Sequence, residues 1–329
     1  MKKIRWGILS TANIGMKKVI PAMQKGKHCK ITAIASRNID KAKSAAAELG
    51  IKKYYGSYEQ LITDKDINAI YIPLPNHLHV PYTIKSLQAG KHVLCEKPIS
   101  MNVKEAELLL SEVKKYPELK VMEAFMYKFH PRTQKIKELV DSGAIGELRT
   151  IQSHFSYSNL DPNNIRNKAD IGGGGLMDIG CYCISYPRFL FNDEPIRAVG
   201  NVEFDPVMKI DRLTSGMLEF KEGTATFTCS TQLFPYQRAT IFGTKGKIEV
   251  ELPFNAPSDK ETNIFLYTND KVETFTIDVY NQYTLQGDEF SKAIINDTKV
   301  PFPIEDALNN MKVIDAIFKS KKSDSWEKC

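Results

Sequence analysis

The sequence predicts an α/β Rossmann domain, a doubly wound parallel sheet, followed by an α+β domain with a large open, mostly antiparallel sheet. Three observations lead there. Apolar strands alternate with helical segments over the first third, a turn of small residues follows the first strand, and strand-rich alternation takes over beyond Glu147. The 329 residues suffice for two domains at roughly 100–200 residues each. The pattern changes near Glu123–Pro131, so the expected division is residues 1–123 and 124–329.

Each element follows in chain order. Ile4 to Ser10 reads as a strand feeding a helix over Ile14–Gln24. Lys30–Ala35 pairs in the same way with Asp40–Leu49, Ala69–Ile72 with Val80–Ala89, and His92–Cys95 with Val103–Lys115, and Lys120–Glu123 closes the series. Such repeated strand–helix units build a parallel sheet whose carboxyl ends face a ligand crevice. In the second domain, strands are expected at Leu148–Phe155, Ile196–Phe204, Thr214–Phe220, Thr224–Ser230, Arg238–Phe242, Lys247–Val250 and Ile264–Tyr267. Helices are expected at Arg132–Val140, Leu176–Phe191, Leu285–Ile295 and Ala307–Lys319. The run Thr224 to Thr228 alternates polar and apolar residues, which buries one face and exposes the other. An exposed sheet of that size invites a second copy of the chain, so a homodimer or higher homo-oligomer is expected.

Composition excludes several classes. Hydrophobic residues make up 42% and charged residues 26%, an ordinary globular balance. The net charge of +6 is scattered without a basic block, which argues against a nucleic-acid partner. The six cysteines are irregularly spaced with no C-x-x-C pair, so neither a disulfide framework nor a metal site is expected and a reduced, cytoplasmic protein fits. No apolar stretch approaches the roughly 18 residues of a membrane span, and the apolar run at the amino end is too short for a secretory signal.

The turn after the first strand reads Ser10-Thr11-Ala12-Asn13-Ile14-Gly15 where a dinucleotide fold normally has G-x-G-x-x-G. Small side chains still permit close approach to a pyrophosphate, and Ser10 and Thr11 add hydroxyl donors; an ordinary strand-to-helix turn is the alternative. At the end of the second strand stand Ser36 and Arg37, with Lys41 near, and no carboxylate before Asp40. A guanidinium there suits a 2′-phosphate, whereas NAD sites place Asp or Glu on the ribose, so NADP(H) is expected.

Three further segments carry candidate chemistry. Pro73-Leu74-Pro75-Asn76-His77-Leu78-His79 follows the strand Ala69–Ile72, and Cys95-Glu96-Lys97-Pro98 follows the strand His92–Cys95. Both loops open onto the crevice, and Pro98 restricts the conformation of Lys97. The third segment, Gly172 to Gly175 and then Leu176-Met177-Asp178-Ile179-Gly180-Cys181-Tyr182, offers a backbone able to pass close to a ligand. Asp178 and Tyr182, four apart, share a helix face. A carboxylate and a phenol so placed suit carbonyl–alcohol chemistry; a buried tyrosine satisfied by a neighbouring carboxylate is the plainer reading.

Together with Glu123-Ala124-Phe125-Met126-Tyr127-Lys128-Phe129-His130-Pro131, these segments resemble the glucose-fructose oxidoreductase / inositol dehydrogenase / rhizopine-catabolism family, Gfo/Idh/MocA, over nearly the whole chain. The Glu-Lys-Pro run is that family's hallmark. The resemblance implies pyridine-nucleotide oxidation or reduction of sugars, polyols or related alcohols, with Lys97 as the active-site lysine and Asn76 and His79 bordering the nicotinamide. Leu74, Pro75 and Glu96 fall with them on the cofactor side, as do Ala12, Asn13 and Ile14 of the turn. Many members carry His where this chain has Tyr182, which places it nearer the branch of dihydrodiol dehydrogenases, xylose dehydrogenases and keto-sugar reductases, where the tyrosine is the proton donor. Arg166 and Tyr283 lie where relatives line the substrate pocket. An unperturbed phenol titrates near 10, so the expectation includes help from the Lys97 ammonium. Two other readings stand beside a net alcohol–carbonyl reaction: a tightly held cofactor cycling through transient redox for elimination or epimerisation, and a non-catalytic nucleotide sensor.

Overall fold

The computed structural model describes residues 2–269 and 271–329. The chain forms two compact units, Met1–Met126 with Asn281–Leu308, and Tyr127–Tyr280 with Asn309–Cys329.

The first unit is built on β1 (Ile4–Leu9), β2 (Cys29–Ala35), β3 (Lys53–Tyr55), β4 (Ala69–Ile72), β5 (His92–Cys95) and β6 (Val121–Glu123). Their order is β3-β2-β1-β4-β5-β6 and every pairing is parallel. Strand order reverses between β1 and β4, the point at which such sheets open a ligand crevice beyond their carboxyl ends. The helices α1 (Ile20–Gln24), α2 (Ile39–Glu48), α3 (Tyr58–Ile62), α4 (His79–Gln88) and α5 (Val103–Val113) connect the strands. Asn38, Ser57 and Asn102 cap α2, α3 and α5 by accepting the Lys41, Gln60 and Glu105 amides. Buried Leu9, Ile70, Ile72, Val93, Leu61 and Leu109 form the core on one side of the sheet. β3 and α3 lie outside the sequence expectation, because Lys-Tyr-Tyr is too short and too polar to show a period.

The division at residue 123 needs correction. The helix expected at Leu285–Ile295 runs from Gln282 to Ile295 and belongs to the first unit. The Trp6 indole donates to Ser291 at 3.2 Å and packs on Phe290 with ring centroids 5.7 Å apart. Asp288 accepts the Lys27 and His28 amides at 2.9 and 2.8 Å. A sheet face with a buried tryptophan needs cover, and a helix far along the sequence supplies it.

Among the described residues the second unit has nine strands: β7 (Leu148–Ser158), β8 (Arg197–Phe204), β9 (Asp211–Glu219), β10 (Thr224–Ser230), β11 (Gln232–Gly243), β12 (Gly246–Glu251), β13 (Thr262–Thr268), β14 (Val272–Ile277) and β15 (Glu327–Lys328). Their order is β14-β13-β12-β11-β7-β10-β9-β8-β15. Among the described residues of this sheet, β7 and β10 alone pair in parallel. The expected alternation is present in β10, where Ala225, Phe227 and Cys229 are buried and the threonines between them are not. The helices α6 (Pro131–Asp141) and α7 (Cys181–Phe191) belong to this unit. The sheet is hollowed over Gln152, His154, Asn201, Thr226, Tyr236 and Arg238, a cavity of about 540 Å³.

Desolvated histidines set an acid limit on stability, His92 and His130 among them. His92 Nδ1 accepts the Lys120 amide at 3.0 Å, and His130 Nδ1 accepts the Arg132 amide at 3.1 Å. Burial holds both rings down to about 4 from the usual 6.5. The folded chain keeps them neutral while the unfolded chain protonates them, so their contribution is complete above pH 6.5 and is lost as pH falls from 6.5 towards 4. Thermal unfolding should show Tm falling through that window, with a shallower slope in His92→Gln/His130→Asn; an unchanged slope refutes it.

Candidate active site

In the first unit, the phosphate-type turn leaves β1 at Ser10, whose amide donates to Ala35 at the end of β2 at 2.9 Å. Ser10 has φ 114°, a backbone region that glycine occupies freely and a side chain only under strain of order 1–3 kcal/mol. Its hydroxyl is put to use there, accepting the Ala12 amide at 3.0 Å. Thr11, Ala12 and Ile14 are part-exposed and Asn13 is exposed. At the end of β2, Ser36 is buried and accepts the Asn38 amide at 3.3 Å, while Arg37 and Lys41 are exposed. Tyr58, which the sequence reading missed, lies between these two segments. Burial pushes its phenol up, while the Arg37 guanidinium and hydrogen bonds to Ser10 and Arg37 pull it down.

Leu74 is buried and Pro75 and Asn76 are part-exposed ahead of α4. The His79 ring is fully buried, with Nδ1 2.7 Å from the Pro98 carbonyl and Nε2 2.7 Å from the Leu74 carbonyl. Burial holds it down to about 4, and the resulting neutral ring donates to one carbonyl at a time. With the proton on Nδ1 the side chain ties the Leu74 loop to the segment after Lys97, and with it on Nε2 it closes the Leu74 loop on itself; both nitrogens face carbonyls, leaving no polar atom to point at a ligand. Glu96 Oε1 accepts the Tyr71 hydroxyl at 2.5 Å, and the Glu96 amide donates to Ile72 at 3.1 Å. Ile99 donates to Glu123 Oε1 at 2.7 Å. Lys97, part-exposed, is therefore flanked by anchored residues, and its peptide to Pro98 is cis. Tyr283, expected within the second domain, stands on α8 (Gln282–Ile295) in the first unit, where burial and the Glu96 charge push its phenol up.

In the second unit, the glycine run does not behave as the sequence suggested. Its neighbours are its own chain: a Cβ on Gly173 would stand 2.5 Å from the Arg166 carbonyl oxygen, and one on Gly174 would stand 2.0 Å from Asp211 Oδ1. Gly174 has φ 123°, so glycine is required there on both counts. The helix that follows starts with a π-helical turn, Leu176–Gly180, before α7, a local form that recurs at functional sites.

Asp178 Oδ2 accepts from the Tyr157 hydroxyl at 2.6 Å and from Arg166 Nε at 3.0 Å. Sequence reasoning singled out Asp178 and Arg166 and missed Tyr157, which sits on β7 with no local motif. Burial and the Asp178 charge push the Tyr157 phenol up, and the same charge pushes Arg166 up. Tyr182 is buried on α7, its ring 5.9 Å from Tyr127, 5.8 Å from Phe155 and 5.6 Å from Phe254. Within this unit the structure brings Asp178, Arg166, Tyr157 and the Tyr182 helix together.

Comparison with known proteins agrees with both units. Residues 4–125 match the model of the oxidoreductase family with NAD-binding Rossmann fold, and residues 133–249 match the GFO/IDH/MocA C-terminal domain. An uncharacterized oxidoreductase of Rhizobium meliloti is 43% identical over 99% of each chain. The D-xylose 1-dehydrogenase (NADP(+)) 2 of Haloferax volcanii is 36% identical over 97% of each. A 3-ketoreductase from Actinomadura kijaniata, solved with NADP and TDP-benzene, superposes with TM-score 0.90 at 27% identity, over 97% of this chain and 98% of that one. On these matches and this architecture, the chain belongs to the GFO/IDH/MocA oxidoreductase family.

Proposed function

We propose that the chain is an NADP(H)-dependent oxidoreductase that interconverts an alcohol and a carbonyl on a sugar, keto-sugar or related polyol. The observation that carries the reading is Tyr182, a phenol walled by aromatic rings on the helix that also presents Asp178. The nicotinamide, when bound, supplies or accepts the hydride. Tyr182 gives the proton to the carbonyl oxygen in reduction and takes it back in oxidation, and the Lys97 ammonium stabilises the oxygen as charge develops. Asp178 accepts from Tyr157 and Arg166, so its carboxylate is held in one orientation beside the substrate. Arg166 and Tyr283 contribute to the substrate side.

The donor set fits the phosphorylated cofactor. Ser10, Thr11, Ala12, Asn13 and Ile14 hold the pyrophosphate at the turn; buried Ser36 with exposed Arg37 and Lys41, and no carboxylate at the end of β2, suits a 2′-phosphate. Leu74, Pro75, Asn76, Glu96 and Lys97 border the nicotinamide, and His79 acts by tying their loops together. We assign the cofactor to the first unit, which also carries Tyr283, and the other substrate contacts and the subunit contacts to the second, with a homodimer formed over the hollowed sheet. Five of the six cysteines are buried, in keeping with a cytoplasmic setting, and no described helix is long and apolar enough to cross a membrane.

Absorbance at the NADPH band with aldoses, keto-sugars and nucleotide-linked sugars tests the activity: net conversion supports it, and cofactor that copurifies without turning over supports elimination or epimerisation instead. Arg37→Ala should cut the preference for NADP over NAD about tenfold to a hundredfold, the worth of a charge-assisted phosphate contact. An unchanged ratio of KM values overturns the 2′-phosphate assignment.

A further inference from the structure

We propose that Asp211 is a positioning residue for the reaction: its carboxylate holds the start of the helix that carries Asp178 and Tyr182. The inference rests on the reading of Tyr182 as proton donor.

Asp211 opens β9 and is 1% exposed. Among the described residues no cation pairs with it. Its Oδ2 accepts the Leu176 amide at 2.5 Å and the Thr214 hydroxyl at 3.3 Å, and the Gly175 amide bonds to it as well. These amides belong to the first turn of the helix, where N–H groups have no partner within the helix itself. The carboxylate also lies against Gly174, whose missing Cβ leaves the room that Oδ1 occupies. On its other side the glycine run is held by the turn bearing Arg166: the Gly173 and Gly174 amides donate to Lys168 and Arg166 carbonyls at 2.9 and 2.8 Å. Arg166 in turn bonds Asp178. The helix start is therefore clamped between Asp211 and the Arg166 turn, and the clamped segment leads directly to Asp178 and Tyr182.

Stability alone does not ask for a carboxylate here. A Ser or Asn cap would satisfy amides without burying an unpaired charge, which is costly. Burial pushes the Asp211 carboxyl up to about 7, a measure of that cost. What an ionised carboxylate adds is an acceptor shared by the Leu176 and Gly175 amides and the Thr214 hydroxyl, and a charge matched to the helix dipole. The gain is registration. A reacting group displaced by about 1 Å can lose on the order of a hundredfold in rate, and Tyr182 stands within two turns of the clamp.

The test is Asp211→Asn, which keeps the shape and turns one acceptor into a donor. We expect kcat to fall about tenfold to a hundredfold, with KM for NADPH and the thermal midpoint changed little. In the Asp211→Asn/Tyr182→Phe double variant, turnover should fall no further than in Tyr182→Phe, since the effect passes through the phenol. A folded Asp211→Asn with kcat within twofold of the parent overturns the inference, and so do losses that multiply in the double variant. If Asp211→Asn does not fold, Thr214→Val removes a single bond to the carboxylate; a few-fold loss of kcat at unchanged thermal midpoint supports the inference and an unchanged kcat overturns it. Parental turnover in Tyr182→Phe sinks the proton-donor reading itself, whereas a slow Tyr182→Phe beside an unaffected Asp211→Asn sinks the positioning role alone.

Discussion

Tyr182→Phe should lower turnover by on the order of a hundredfold or more while leaving NADPH affinity close to that of the parent. The size follows from the usual worth of a positioned acid or base, about 10² to 10⁴ in rate. The substitution isolates that effect because it removes one oxygen and leaves the ring. The packing that holds the ring, against Tyr127, Phe155 and Phe254, is apolar and aromatic, so phenylalanine keeps it. Two of the bonds to Asp178 also persist, since Tyr157 and Arg166 rather than the altered residue supply them. Steady-state kcat at saturating NADPH, with cofactor affinity from fluorescence titration, separates the two quantities. Turnover near the parental value rejects Tyr182 as proton donor, whatever the substrate.

The legible parts of the fold were those whose cause is local. The strands β1, β4 and β5 announce themselves by largely apolar runs, because a parallel strand is buried on both faces, and β10 by its period of two. The Ser-Thr-Ala turn, the Arg37 segment, Lys97 and the Asp178/Tyr182 spacing stand out as candidates for the same reason, each being a short run with its own chemistry. What escaped depends on contacts between distant segments. α8 joins the first unit because Trp6 and Lys27 need partners some 260 to 285 residues away, and nothing in residues 282–295 states this. Tyr157, Tyr58 and Asp211 each lie on an element with no motif of its own, and each matters through a side chain reaching another segment. The glycine run was legible as a place of close approach, and the partner was misread: Asp211 and the Arg166 turn fill the space assigned to a ligand. His79, placed by resemblance in the loop bordering the nicotinamide, has both ring nitrogens facing backbone carbonyls, a contact that no local pattern announces.

Lys97→Met should likewise cut kcat by on the order of a hundredfold or more, with NADPH binding largely kept. Methionine preserves most of the apolar stem and removes the ammonium, so a loss reports charge rather than shape. The surroundings favour that interpretation because both flanks of Lys97 are fixed independently of its head group. Glu96 is held by the buried Tyr71 hydroxyl and by its own amide bond to Ile72, and the Pro98 carbonyl faces His79 Nδ1 at 2.7 Å. None of these contacts involves the Lys97 side chain, so they persist in the variant and the loop should keep its course. On the proposed mechanism the ammonium and the phenol serve the same oxygen: one stabilises its charge and the other delivers its proton. Groups that act on one atom as a unit give losses that do not multiply. The Lys97→Met/Tyr182→Phe enzyme should therefore be little slower than the slower single variant. Two independent losses, multiplying to about 10⁴ or more, would mean that Lys97 and Tyr182 serve separate steps, and the shared-oxygen mechanism would fall even if each residue proved essential.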